Sequence, residues 1–399
     1  TNFAMEPFRV NFTGVPAWGT KQNAVLGRHA DLVYSTYIQV VLPPSKAGTT
    51  YAYNNDAGRL GYNLLKYIEL QIGEQSIDKQ YSEWLYLWDL IGSSPDKGLK
   101  LGELVGGDYL GAYAGAVANM PTVNDCALGG RPEIPSVLYI PLNFFYTRNP
   151  GSALPLIALQ YHDVRVNIEW NPVQLVAGDF TQPVLSPNPL SAALYVDYIY
   201  LDTEERRRFA QKEHEYLIEL IQYNEDKGVS SGSSRIDLTF NHPVKELVWV
   251  VQPTYYTNCN LATAKGEIRL QPFTYDEPAV YEQKIQLNGQ DRIDMRYGDY
   301  FNRVQPYQHH SCLPLSVFNG TGNITRQIGV YMYSFALKPE ENQPSGTCNF
   351  SRIDNAHIVM NMSGNVEVDS SNTWDVRVYA VNYNILRIMS GMAGLAYSN

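Results

Sequence analysis

A chain of 399 residues, 44% hydrophobic and 18% charged, is long enough for two domains that each bury a core. Its formal net charge of −10 argues against a broad nucleic-acid-binding surface, which needs cationic groups to displace counterions from phosphate. No apolar run approaches the roughly 18 residues that span a bilayer, and no signal peptide is expected from the residues present. Aromatic residues are abundant, with 30 Tyr, 13 Phe and 6 Trp, and 23 Pro and 30 Gly supply turns. Together these favour an all-β protein with many loops.

In chain order, the first β-rich run covers residues 31–44 and is stopped by proline, which cannot donate to a strand ladder. Strand-like segments 67–72 and 75–77 flank Gly73-Glu74, residues suited to a type II′ hairpin turn. Residues 92–135 carry many Gly and Ala with little periodicity and predict a long decorated loop. After Phe145 and Asn149-Pro150-Gly151, alternation over 161–168 places Val164 and Val166 on one face. The strand 194–201 closes the first half. A short helix follows over about 202–210, with Asp202 or Thr203 as N-cap and Glu204 and Glu205 in its first turn.

The second half repeats this order. A strand over 216–222 opens it, 225–234 predicts a flexible loop, and strands follow at 235–240 and at 244–253, the latter ended by Pro253. Segments 284–287 and 290–293 flank Asn288-Gly289, a strong type I′ turn signal. Gly73 to Tyr81 aligns without a gap with Gly289 to Tyr297, and Gly, Ile, Asp and Tyr coincide. Phe335 precedes Lys338-Pro339 as Phe145 precedes Asn149-Pro150, the strand 356–362 places Ile358 and Met360 on one face, and 376–383 closes the half. A shared order of landmarks reads as one β-domain duplicated, over residues 1–210 and 211–399.

Catalytic, cofactor and metal motifs are weak. Gly228-Val-Ser-Ser-Gly232 matches G-x-S-x-G but lacks the strand–turn–helix context of a nucleophile elbow. His309-His310 reads as a surface loop pair poorly placed to chelate one ion, and His214-Glu215 lacks the second histidine of a zincin because Ile218 takes that position. Gly102, Gly106, Gly107, Gly111 and Gly115 fit no phosphate-binding spacing, and Arg206 to Arg208 reads as a solvated helix face. Cys126, Cys259, Cys312 and Cys348 lie far apart and read as free thiols. Asn11, Asn319, Asn323, Asn349 and Asn361 head N-x-Ser/Thr triplets; Asn319 and Asn323, in a Gly-rich loop, are the candidate glycosylation sites. The terminal Met389-Ser-Gly-Met-Ala-Gly-Leu-Ala-Tyr397 is apolar and glycine-rich, so Met389, Met392, Leu395 and Tyr397 are candidate intersubunit contacts.

Long segments carry a family resemblance. Residues 1–6, 149–164, 197–206 and 214–219, then Gln286-Leu-Asn-Gly-Gln-Asp-Arg292, Tyr300-Phe-Asn-Arg-Val-Gln-Pro-Tyr307, and residues 333–339, 343–356 and 386–397, resemble the major capsid proteins of nucleocytoplasmic large DNA viruses, most of all the chlorella-virus branch. Residues 92–135 and 251–281 depart from that pattern. The resemblance implies two tandem eight-stranded antiparallel jelly-roll β-sandwiches joined by a short helix. It also implies a homotrimeric pseudo-hexagonal capsomer in an icosahedral shell. Its partners would be neighbouring capsomers and minor capsid proteins beneath the shell, with covalent glycans on surface loops. Assembly in the host cytoplasm, no direct nucleic-acid contact, no membrane insertion and no enzymatic activity complete that expectation. The alternatives are a carbohydrate- or receptor-binding jelly-roll module, which would expose aromatic side chains in one groove, and a jelly-roll enzyme, which would need clustered His and carboxylates facing a barrel interior.

Overall fold

The computed structural model describes residues 2–42, 60–106, 137–172, 191–230, 232–254, 279–312, 315–317, 324–326, 329–362 and 373–397. Before residue 202 the strands are β1 (Phe3–Asn11), β2 (Lys21–Val25), β3 (Leu32–Val41), β4 (Leu65–Ile72), β5 (Gln75–Tyr81), β6 (Val137–Pro141), β7 (Leu154–Pro155), β8 (Val164–Trp170) and β9 (Ser191–Leu201). They build one sheet in the order β1-β9-β3-β6, with β7 beside β3, and a second in the order β2-β8-β4-β5.

After residue 213 come β10 (His214–Val229), β11 (Ser233–Asp237), β12 (Pro243–Pro253), β13 (Val280–Leu287), β14 (Gln290–Tyr297), β15 (Leu315–Val317), β16 (Ile324–Arg326), β17 (Val330–Ser334), β18 (Cys348–Asn349), β19 (Ala356–Met362), β20 (Trp374–Met389) and β21 (Met392–Leu395). The main sheets run β10-β20-β12-β17 and β11-β19-β13-β14. Strand for strand this is the order of the first half: β10 stands where β1 stands, β20 where β9 stands, and β14 where β5 stands. Every pairing in these sheets is antiparallel. The chain is a double jelly roll with four main strands per sheet, to which β7 adds beside β3, β18 beside β12 and β21 beside β20.

Alternation builds each core. In the first half Ile38, Val40, Leu194 and Val196 of one sheet and Ile68, Leu70, Val166 and Ile168 of the other are buried. In the second, Leu247, Trp249, Val376 and Val378 share a buried cluster with Ile285, Ile358 and Met360. Each such side chain contributes roughly 1.5–3 kcal/mol on leaving water. One buried indole in each half is satisfied alike: Trp170 Nε1 donates to Gln22 Oε1 at 3.1 Å, and Trp249 Nε1 to Gln283 Oε1 at 3.1 Å.

The turns follow their chemistry. Asn288 and Gly289 both have positive φ, as type I′ requires, whereas at the β4–β5 turn only Gly73 does. Asp202 caps the helix Thr203–Gln211, its Oδ1 accepting from Thr203 N at 2.7 Å.

Two expectations change. The loop expected over 92–135 begins as a helix, Pro95–Leu104, and residues 107–136 lie outside the described set. A second helix, Ser82–Gly92, precedes it. The flexible loop expected over 225–234 shrinks to a turn, because β10 runs on to Val229 through a bulge after Asp226 and β11 starts at Ser233. Gly228 and Val229 of the G-x-S-x-G match therefore end β10, and Ser231 lies outside the described residues.

Candidate functional site

The two halves meet along a seam built by the helix Ser82–Gly92. Trp84, Leu87, Trp88 and Ile91 recur at helical spacing, and the helix packs against the outer face of β10-β20-β12-β17. Val248, Val250, Tyr379 and Val381 point out of their own sandwich and join the first half's core. Trp84 lies 5.5 Å from Tyr379, and Tyr81 lies 4.5 Å from Tyr223, ring centre to ring centre. Because β12 and β20 are covered on both faces, residues 247–251 are apolar without alternation.

Polar groups fix the register of this seam. Glu83 accepts from Arg377 Nε and Nη2 at 2.7 Å each and from the Tyr379 hydroxyl at 2.6 Å. Arg377 Nη2 also donates to Gln252 Oε1 at 2.6 Å. Asp78 on β5 accepts from the Ile221 backbone N–H at 3.2 Å, and burial pushes its carboxyl up to about 6 against the pull of its hydrogen bonds.

A buried ionic cluster sits at one end. His310 donates from Nε2 to Glu246 at 2.7 Å and from Nδ1 to Glu340 at 2.9 Å. Its neighbour on β12, Lys245, reaches Glu219 Oε1 at 2.6 Å, and Arg148 of the first half also pairs with Glu219. The Arg148 guanidinium stacks 4.5 Å over Trp88, whose edge meets the His310 ring. The expected surface pair His309-His310 is thus corrected: His310 is buried between two carboxylates, while His309 Nδ1 meets the Leu337 carbonyl at 3.0 Å. Both glutamates arrive from distant segments, so nothing local announces the site. The one sequence signal is Lys245-Glu246 inside an otherwise apolar strand.

The terminal candidates lie on the β20–β21 hairpin. Met389 and Met392 pair across its turn and are 45% and 49% exposed. Leu395 is half-buried against the core, and Tyr397 is exposed beside His242. The hairpin leans on the first half of its own chain: Tyr161 N donates to Gly391 O at 3.0 Å, Ala393 N to His162 Nδ1 at 3.2 Å, and Leu395 N to Gln75 Oε1 at 3.3 Å. Asn319 and Asn323 lie outside the described residues. Asn11 and Asn349 are exposed; Asn349 caps a short 3-10 turn by accepting from Ser351 N. Cys312 and Cys348 are half-buried; Cys126 and Cys259 lie outside the described residues. Among the described residues no cluster of His, Cys, Asp and Glu is placed to hold a metal ion.

The first-half sheet β1-β9-β3-β6 shows a different outer face. Tyr37 and Tyr195 stack at 5.2 Å, Tyr139 meets Tyr37 edge-on at 6.0 Å, and Phe3, Met5 and Val137 are exposed. In the second half, β14 and the helical turns Tyr300–Val304 and Gln305–His309 present Met295, Tyr297, Val304 and Tyr307 to solvent.

The architecture and sequence have clear relatives. The family described as major capsid protein N-terminus matches residues 1–202, and that of the large eukaryotic DNA virus major capsid protein matches residues 205–394. The major capsid protein of Pyramimonas orientalis virus is 43% identical, over 100% of this chain and 91% of its own length. That of Paramecium bursaria Chlorella virus 1 is 37% identical, over 100% of this chain and 92% of its own. The structure of PBCV-1 VP54 superposes with a TM-score of 0.80 at 32% identity, over 100% of this chain and 98% of that one. Sequence and fold agree over both halves: the chain belongs to the major capsid proteins of large eukaryotic DNA viruses, and is a structural subunit of the virion capsid.

Proposed function

We propose that this subunit acts as a homotrimer whose six sandwiches form a near-hexagonal tile. Each chain contributes two similar wedges, residues 1–210 and 211–399, and a hexagonal outline covers a large facet without gaps. The observation that supports this most is the seam. A shared core and the Glu83–Arg377 pair join the two sandwiches into one rigid piece, which is what a tile needs if its outline is to be reproducible. The role is mechanical rather than enzymatic.

On this reading the tile meets neighbouring capsomers at its rim and minor capsid proteins beneath, and assembles in the host cytoplasm. Asn319 and Asn323 are the loop positions offered for covalent glycans. Met389 and Met392, the exposed tip of the terminal hairpin, are offered with Tyr397 as contacts to other subunits, Leu395 having its main role inside the chain. Light scattering on the purified protein should give three times the 45.0 kDa chain mass. A chain that stays single at high concentration would remove the proposal.

A further inference from the structure

Within the chain, the first half holds the second partly through a carboxylate that only neutral groups contact. Asp78 and Gln80 stand two residues apart on β5, so they share a face of that strand, and they are 3% and 1% exposed. Asp78 Oδ1 accepts from the Ile221 backbone N–H of β10 at 3.2 Å, and Oδ2 accepts from Gln80 Nε2 at 2.7 Å. The same Gln80 amide donates to the Asn143 carbonyl at 2.9 Å, which fixes its place. β10 is the edge strand of its sheet, so its outward N–H groups need partners from elsewhere, and Asp78 supplies one at Ile221.

The charges around Asp78 are committed to other partners. Arg148 is the cation whose field reaches it, but that guanidinium pairs with Glu219 of β10 and stacks on Trp88. Lys245 of β12 is bonded to the same Glu219. On β5 itself, Lys79 lies over the Tyr67 and Tyr81 rings. Glu83 of the following helix is bonded to Arg377 and to the Tyr379 hydroxyl, and burial pushes the Tyr223 phenol of β10 up, so it stays neutral. An ionised Asp78 has thus lost its water and gained only neutral N–H donors, and burial accordingly outweighs them. Gln80 Oε1 is also buried and accepts from no donor among the described residues; a protonated Asp78 would place an O–H donor beside it.

We propose that Asp78 is a proton-operated latch between the two sandwiches of one chain: protonated in mild acid, it lets the seam close tightly on β10, and ionised it lets the seam open more readily to water. In an opened seam the carboxyl returns to its ordinary range, about 3.9, below the value of about 6 that it has in the closed seam. Closure therefore takes up a proton. The stability this adds is complete below about pH 4 and is lost as pH rises through 6. His310, at about 9, keeps its proton over that range. The repeat carries one such latch, because Asp294, aligned with Asp78, is exposed. A subunit built this way has a firmer outline in mild acid than at neutral pH, whatever number of copies assemble.

Hydrogen–deuterium exchange of the full chain, read peptide by peptide at pH 5 and pH 6.5 and corrected for the intrinsic pH dependence of amide exchange, tests the latch. Peptides covering β5 and the part of β10 around Ile221 should open roughly five- to tenfold more at pH 6.5 than at pH 5. Two neutral replacements, D78N and D78S, should each abolish that difference, and one that folds is enough to read it. Equal opening at both pH values in the wild type would overturn the inference whether or not either variant folds. So would a variant that keeps the wild-type pH difference, since another group would then be titrating.

Discussion

At the scale of single residues, His310 is the group whose charge the fold depends on. It is enclosed by Glu246 of β12 and Glu340 of the following loop, with Lys245, Arg148 and the Trp88 edge around it. Burial opposes the charged imidazole, but the two carboxylates outweigh it and push His310 up to about 9. Burial also opposes ionisation of Glu246 and Glu340, yet His310 holds both below the usual carboxylate range. For His310 the folded value lies above the unfolded value of about 6.5, so its contribution is complete below that pH and is lost as pH rises toward 9. The loss should be on the order of 3 kcal/mol. The two glutamates act in the opposite sense, with stability lost as pH falls below about 4.5 through their folded values. Urea unfolding from pH 5 to 9 should show the alkaline decline in the wild type. In H310Q it should be absent, at a cost of about 3–5 kcal/mol near neutrality because Glu246 is left buried without its cation. An unchanged alkaline slope in H310Q would show that another group titrates. Sequence could not place this cluster, since its members are 30 and 64 residues apart and only the Lys245-Glu246 interruption hints at it.

At the scale of elements, strands were legible and the helix that joins them was not. Proline stops, the Asn288-Gly289 turn and period-2 alternation located the strands, because each is a local backbone or patterning requirement. The helix Ser82–Gly92 is apolar on nearly every side, so it shows little periodicity, although Trp84, Leu87, Trp88 and Ile91 hold helical spacing and Glu83 marks its first turn. The terminal hairpin is similar: its composition signals close approach, but the surface it approaches belongs first to its own chain. Gly391 has φ +79, and a Cβ there would lie 2.7 Å from the Tyr161 ring. Gly391→Ala should therefore lower stability by roughly 1–3 kcal/mol, read as a reduced denaturant midpoint. Truncation after Arg387 removes buried Ile388 and Ala393 and all three hydrogen bonds to the first half, and should cost more. A truncated chain with wild-type stability and mass would mean that the hairpin serves neither the fold nor assembly.

At the scale of the whole molecule, the two sandwiches are coupled by a core that does not stop at the boundary between them. The first half's buried cluster takes in Val248, Val250, Tyr379 and Val381 from the outer face of the second half's sheet, while the inner face of that sheet has its own cluster. Unfolding the first half would strip apolar cover from β12 and β20 and leave Arg377 without Glu83, a buried charge without its partner. Each exposed large side chain would add roughly 1.5–3 kcal/mol to that penalty, so a half-folded chain is strongly disfavoured. Calorimetry on the purified protein should show a single transition for both halves. Replacing Glu83 with Ala should lower its midpoint and begin to separate the halves, because it weakens the polar lock while leaving each sandwich's inner core intact. Two well-resolved transitions in the parent protein would instead mean that the seam is a weak contact between independent domains, and a tile built on it would have no fixed outline.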